Sequence, residues 1–116
     1  MIEGKDYRGE GFLPLVDFEA WRVAVLRCNE RFSALTTCER HFETDEVFVL
    51  LEGQATLYAW DEKGAMQALK MEDCKVYNVP RGTWHHIVVS RDATVLVVEN
   101  SNTVKENTER RELTEC

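Results

Sequence analysis

Two short stretches hold the side chains best suited to chemistry. Glu39-Arg40-His41-Phe42-Glu43-Thr44-Asp45-Glu46 sets one imidazole among carboxylates, and Pro80-Arg81-Gly82-Thr83-Trp84-His85-His86 carries two more imidazoles. Alternate side chains of a strand share a face, so Glu39 and His41 point the same way. Glu46 opens the next extended segment after a polar break and can return toward that face. His85 lies on a segment that starts straight after the Pro80–Gly82 turn. If these segments roll into a barrel, the two imidazoles and the carboxylate meet in its mouth. Two nitrogens and a carboxylate with positions left open suit Fe(II), Mn(II), Zn(II) or Ni(II). The candidate metal ligands are therefore His41, Glu46 and His85.

The elements that must position these groups read as strands. Trp21, Val23 and Val25 alternate with Arg22 and Ala24, the period of a half-buried strand. Phe32–Cys38, Glu46–Leu51, Gln54–Trp60, Met66–Lys70, Lys75–Val79, Trp84–Val89 and Thr94–Glu99 continue the series between turn residues. Glu52-Gly53 reads as a tight hairpin turn, and Trp84–Val89 with Thr94–Glu99 as a last pair around Ser90-Arg91-Asp92. About eight short strands and no helical period before residue 100 argue for an all-β sandwich or barrel. The expected organisation is an irregular or edge-strand segment over 1–17, the barrel over 18–100, and a polar tail over 101–116. The tail is a docked strand, a short helix or a frayed end.

Composition narrows the partners. The 116 residues fit one domain. A net charge of −7 repels polyphosphates, so nucleic acid is not expected. The longest apolar run, Val47–Leu51, is too short to cross a bilayer, and the opening residues lack a signal-peptide layout. A soluble, cytoplasmic protein is the expectation. Cys28, Cys38, Cys74 and Cys116 form no C-x-x-C pair, and the first three read as buried, reduced, small hydrophobes.

With these residues in view, the chain resembles the cupin superfamily from about Phe18 to Glu99. Its first motif, typically G-x5-H-x-H-x3,4-E-x6-G, is met by His41, by Glu46 after four intervening residues, and by Gly53 after six more. The second, typically G-x5-P-x-G-x2-H-x3-N, is met by Pro80, Gly82 and His85. The resemblance implies a single cupin domain, a double-stranded β-helix or jelly-roll barrel. The spacing selects His85 over His86, whose side chain then faces outward and is partly exposed, while Ile87 and Val89 share the inner face with His85. Departures are Ser33 and Cys74 for the two leading glycines, Val89 for the closing Asn, and Glu39 for the first His. Glu39 is accordingly a ligand that favours a harder cation, a general base, or the sign of a lost site.

The resemblance implies a divalent metal ion and a metal-dependent enzyme on a small polar metabolite, of isomerase, dioxygenase or lyase type, with Glu46 or Glu39 moving a proton. The alternatives are a non-catalytic sugar or metabolite binding module with a degenerate metal site, and, less well supported, a structural or storage role. Phe48, Tyr58, Trp60, Tyr77 and Trp84 are candidates for an apolar pocket wall, each more simply core or interface packing. Arg22, Arg27 and Arg40 are candidates to clamp a carboxylate or phosphate, although Arg40, next to His41, should point outward. Exposed sheet edges call for cover, so a homodimer is expected.

Overall fold

A computed structural model of the chain describes residues 1–116. Ten strands build it: β1 (Gly11–Phe18), β2 (Trp21–Arg27), β3 (Thr37–His41), β4 (Glu46–Glu52), β5 (Ala55–Trp60), β6 (Met66–Lys70), β7 (Val76–Val79), β8 (Trp84–Val89), β9 (Thr94–Asn100) and β10 (Thr108–Glu112). They form two antiparallel five-stranded sheets with strand orders β1-β2-β9-β4-β7 and β10-β3-β8-β5-β6. The fold is the all-β jelly roll expected from the sequence.

The period-2 alternation sends one set of side chains between the sheets, and that set changes character along each strand. On β4 the inward residues are Glu46, then Phe48 and Leu50; on β8, His85, then Ile87 and Val89. On β2 and β9 the same gradient runs from Arg22 to Ala24 and Leu26, and from Glu99 back to Val97 and Val95. One end of the interior is therefore apolar and closely filled, with Phe48, Leu50, Val95 and Val97 at most 2 % exposed. The other end is lined by charge. Burying the apolar end supplies the main drive for folding, and the polar end is free to be a site.

Several local expectations change. Glu52-Gly53 closes no hairpin, because β4 and β5 lie in different sheets. The turn carries the chain across the sandwich, and Gly53, at φ +77°, sits so close to Ala93 that a Cβ would meet its Cα at 2.6 Å. β8 and β9 likewise lie in opposite sheets instead of pairing. Arg31–Ser33 is a 3-10 turn, so the third strand starts at Thr37 instead of Phe32. β1 pairs with β2 and runs through the expected boundary at residue 17. Of the alternatives for the tail, residues 108–112 form a docked strand, β10, paired along β3.

The cysteine reading is corrected as well. Cys38, completely buried, is bonded to Cys116 in a disulfide, and Cys74 is exposed. Disulfides persist in oxidising compartments and are rare in the cytosol, so this bond weighs against the cytoplasmic expectation. No helix is long and apolar enough to cross a membrane.

Candidate metal centre

The polar end brings all four sequence-derived candidates together. Glu39, His41, Glu46 and His85 each offer one donor atom, and these atoms lie within 4.8 Å of one another. Glu39 and His41 share a face of β3, and Glu39 stands directly opposite His85 on β8. Glu46 reaches in from β4 in the other sheet. The turn of the second motif is tied to the first, since the Gly82 N–H donates to the His41 carbonyl at 2.8 Å. Gly82 takes φ +82° there, a left-handed conformation that suits glycine.

The hydrogen bonds set the ring orientations. His85 Nδ1 lies 2.9 Å from the Thr83 carbonyl oxygen and His41 Nδ1 lies 2.8 Å from Thr108 Oγ1. A carbonyl only accepts, so His85 carries a proton on Nδ1 and turns Nε2 inward. Both Nε2 atoms point at one oxygen, Glu46 Oε1, at 3.1 Å from His41 and 2.9 Å from His85. A neutral His85 would then oppose its Nε2 lone pair to a carboxylate oxygen. The arrangement needs positive charge at that point, either a second proton on the ring or a cation between the donors. Donors that each bind one ion at about 2.1 Å stand roughly 3–4 Å apart, which the Nε2–Oε1 distances and the 3.7 Å from His41 Nε2 to Glu39 Oε1 match. Backing each ligating ring through its other nitrogen is the usual support of a metal-bound imidazole. The residues fit a divalent ion.

Electrostatics agree with a site that gathers positive charge. Burial alone would raise the Glu46 carboxyl, but hydrogen bonds from His41 and His85 and the charge of the rings hold it well below the usual carboxylate range. Burial opposes charging His85, yet Glu46 and the Thr83 carbonyl push its pKa up. Glu39, desolvated but facing the Arg31 guanidinium, is held below its ordinary value. Its Oε2 forms an ion pair with Arg31 Nη2 at 2.7 Å and accepts a hydrogen bond from Arg110 Nη2 at 3.2 Å, leaving Oε1 toward His41.

The centre opens into a cavity of about 690 Å³ whose wall includes Phe12, Phe48, Ile87 and the rim Thr103–Lys105. Sequence reasoning missed Glu99 as part of this wall. It is 5 % exposed, and both Arg22 Nε and Nη2 donate to its Oε2. Burial, with the nearby charge of Glu46, pushes its carboxyl up to about 7 against the pull of Arg22. The signal available was the inward parity of Arg22, opposite Glu99 in register. Thr108 and Arg110 were also missed, because nothing local to the polar tail shows that it docks beside β3.

Other candidates separate. Arg22 lines the cavity, whereas Arg27 bonds to Thr94 and Arg40 turns outward to Glu109 and over the Trp84 ring. Of the five aromatics, Phe48 alone lines the cavity. Tyr58, Trp60 and Trp84 share the outer face of the second sheet, by register with His86 and one another, and Tyr77 packs beside the core. His86 does face away from His85, but it is 2 % exposed rather than partly open. The Arg31–Ala34 segment covers it: Phe32 stacks on the ring and the Ala34 carbonyl lies 3.1 Å from Nε2.

No family model and no curated protein matches the sequence. Solved structures do. Oxalate decarboxylase from Bacillus subtilis is 20 % identical at TM-score 0.63 over 83 % of this chain, which spans about a quarter (25 %) of that one. A cupin-2 domain protein from Shewanella frigidimarina is 16 % identical at TM-score 0.60, covering 80 % of this chain and 84 % of that one. Streptomyces Pac13, described as a nucleoside dehydratase and also solved with uridine, is 15 % identical at TM-score 0.63, covering 90 % and 82 %. The Bacillus decarboxylase is described as having Mn(II) centres. Strand order, the paired His and Glu motifs at one end of the sandwich, and these neighbours agree on one conclusion: the chain has the cupin fold.

Proposed function

We propose that this chain is a metal-dependent enzyme acting on a small polar metabolite, with a divalent ion held by His41, Glu46 and His85 and with Glu39 as a fourth donor. The observation that carries the reading is Glu46 Oε1, flanked by two Nε2 atoms whose rings are each fixed from behind. A bound ion would supply Lewis-acid polarisation of a substrate carbonyl or hydroxyl. The protein's own groups do the rest. With the ion in place, His41 and His85 would turn their Nε2 lone pairs to it, Glu46 would offset its charge, and the apolar wall of Phe48 and Ile87 limits water. Glu39 is lowered by Arg31, so it serves better as a charged donor than as a strong base. Among the chemistries open to this fold, lyase type is favoured, since two neighbours are a decarboxylase and a dehydratase.

Protein purified with added Mn(II), Fe(II), Zn(II) or Ni(II) is expected to hold about one ion per chain. Both His41→Ala and His85→Ala are expected to lose it in elemental analysis. Full metal content in both variants overturns the assignment. Turnover of a screened metabolite that stops on chelation and returns with metal supports the enzyme.

A second reading has one observation behind it. The cluster satisfies its own charges without an ion, because a doubly protonated His85 pairs with Glu46 and two arginines pair with Glu39. A binding module would use the cavity in that state. Ligand binding that survives chelation, with no turnover, favours it.

A further inference from the structure

Charge is distributed unevenly in this molecule. The whole chain is acidic, at −7, yet the cavity wall holds four cations, Arg22, Arg31, Lys105 and Arg110, against three carboxylates, Glu39, Glu46 and Glu99. The arginines are not fully used. Glu39 Oε2 takes Nη2 of both Arg31 and Arg110, so two guanidiniums converge on one oxygen. Arg31 Nε is buried with no hydrogen-bond partner, and a buried donor without a partner is costly. Arg31 is held in place by the Phe32 ring, 5.0 Å from its guanidinium carbon. Arg110 leans in from β10, its side chain about half exposed at 53 %. A divalent ion bound between neutral imidazoles would bring the wall to a surplus of three positive charges.

We propose that the cavity takes an anionic ligand, a small molecule bearing carboxylate or phosphate groups, which Arg31 and Arg110 grip beside the metal centre and Lys105 meets at the rim. This names the substrate class of the proposed enzyme and rests on that reading. Planar guanidiniums suit carboxylate and phosphate oxygens through paired N–H donors. Fixed cations in a concave, low-dielectric wall also raise the local concentration of an anion before it binds. A neutral sugar would leave this surplus unanswered and would compete poorly with water for the same donors.

Calorimetric titration of Mn(II)-loaded protein with malonate, inorganic phosphate and the neutral malonamide tests it, with metal content measured before and after. Malonate or phosphate is expected to bind at least about tenfold more tightly than malonamide, and the tighter of the two anions identifies the group preferred. Arg31→Gln and Arg110→Gln should each weaken that binding by about tenfold or more with the metal retained. Lys105→Gln, which touches none of the metal donors, should weaken it about threefold. Malonamide binding as well as the anions, or three variants that leave anion affinity unchanged, overturns the inference while the metal assignment stands. Protein that takes up no Mn(II) yet binds malonate through Arg31 and Arg110 supports the inference and overturns the metal reading. Protein that takes up neither overturns both.

Discussion

At His41 the decisive contact is the Thr108 hydroxyl, 2.8 Å from Nδ1. It fixes which nitrogen faces the centre, so Thr108→Val, of the same shape, is expected to lower metal affinity about 10- to 100-fold without unfolding the chain. Competition with a chelating dye would measure it; unchanged affinity would show that the hydroxyl has no part in the site. Arg22 and Glu99 present the opposite case. Their pair lies in the wall and not among the metal donors. Glu99→Ala leaves a guanidinium only 18 % exposed without its partner, and should cost about 3 kcal/mol of stability with metal content preserved. Denaturant melts read alongside elemental analysis separate the two effects.

Among the elements, the turn before β7 shows how a motif survives the loss of its glycine. Cys74, at the position where the cupin pattern has Gly, takes φ +60°, and its N–H still donates to the Leu50 carbonyl at 3.0 Å. A left-handed non-glycine residue is strained by about 1–2 kcal/mol, partly offset by the entropy that glycine loses on folding. Cys74→Gly is therefore expected to stabilise by about 0.5–1 kcal/mol, read as a shift in denaturant midpoint. β10 depends on more than pairing, because the Cys38–Cys116 disulfide closes a separation of 78 residues. Reducing it should cost about 2–4 kcal/mol, seen as a lower melting temperature in the presence of reductant. These elements also mark what the sequence made legible. The alternation that makes strands, and the spacing within the two short motifs that hold His41, Glu46 and His85, were visible because a period of two and a short motif are local signals. Which strands pair was not, since Glu52-Gly53 has the composition of a hairpin and only packing against Ala93 reveals a crossing between sheets. Thr108, Arg110 and Glu99 stayed hidden for the same reason: each reaches the centre through strand register, which residues far apart in the chain decide together. Cys38 hid its partner too, since a separation this long leaves no spacing to read.

Across the whole molecule, edges and ends matter most. β1 is an outer strand of eight residues with Leu13, Val16 and Phe18 exposed, and Trp21 beside Phe18. An uncovered edge of this kind invites a second copy, and light scattering is expected to give about twice the monomer mass of 13.4 kDa. A monomer at working concentration rejects the dimer. Metal should stabilise the fold as any ligand of the native state does: a free concentration a hundred times the dissociation constant adds about 2.7 kcal/mol, or roughly 10 °C in melting temperature for a domain this size. The way that gain is applied follows from the split of the donors, three on the second sheet and Glu46 alone on the first. An ion seated there is a rivet through two plates, at the end away from the closely filled apolar core. Stripping it should let the plates slide at that end while the opposite end stays clamped, so that amide exchange quickens first in β3 and at the start of β4.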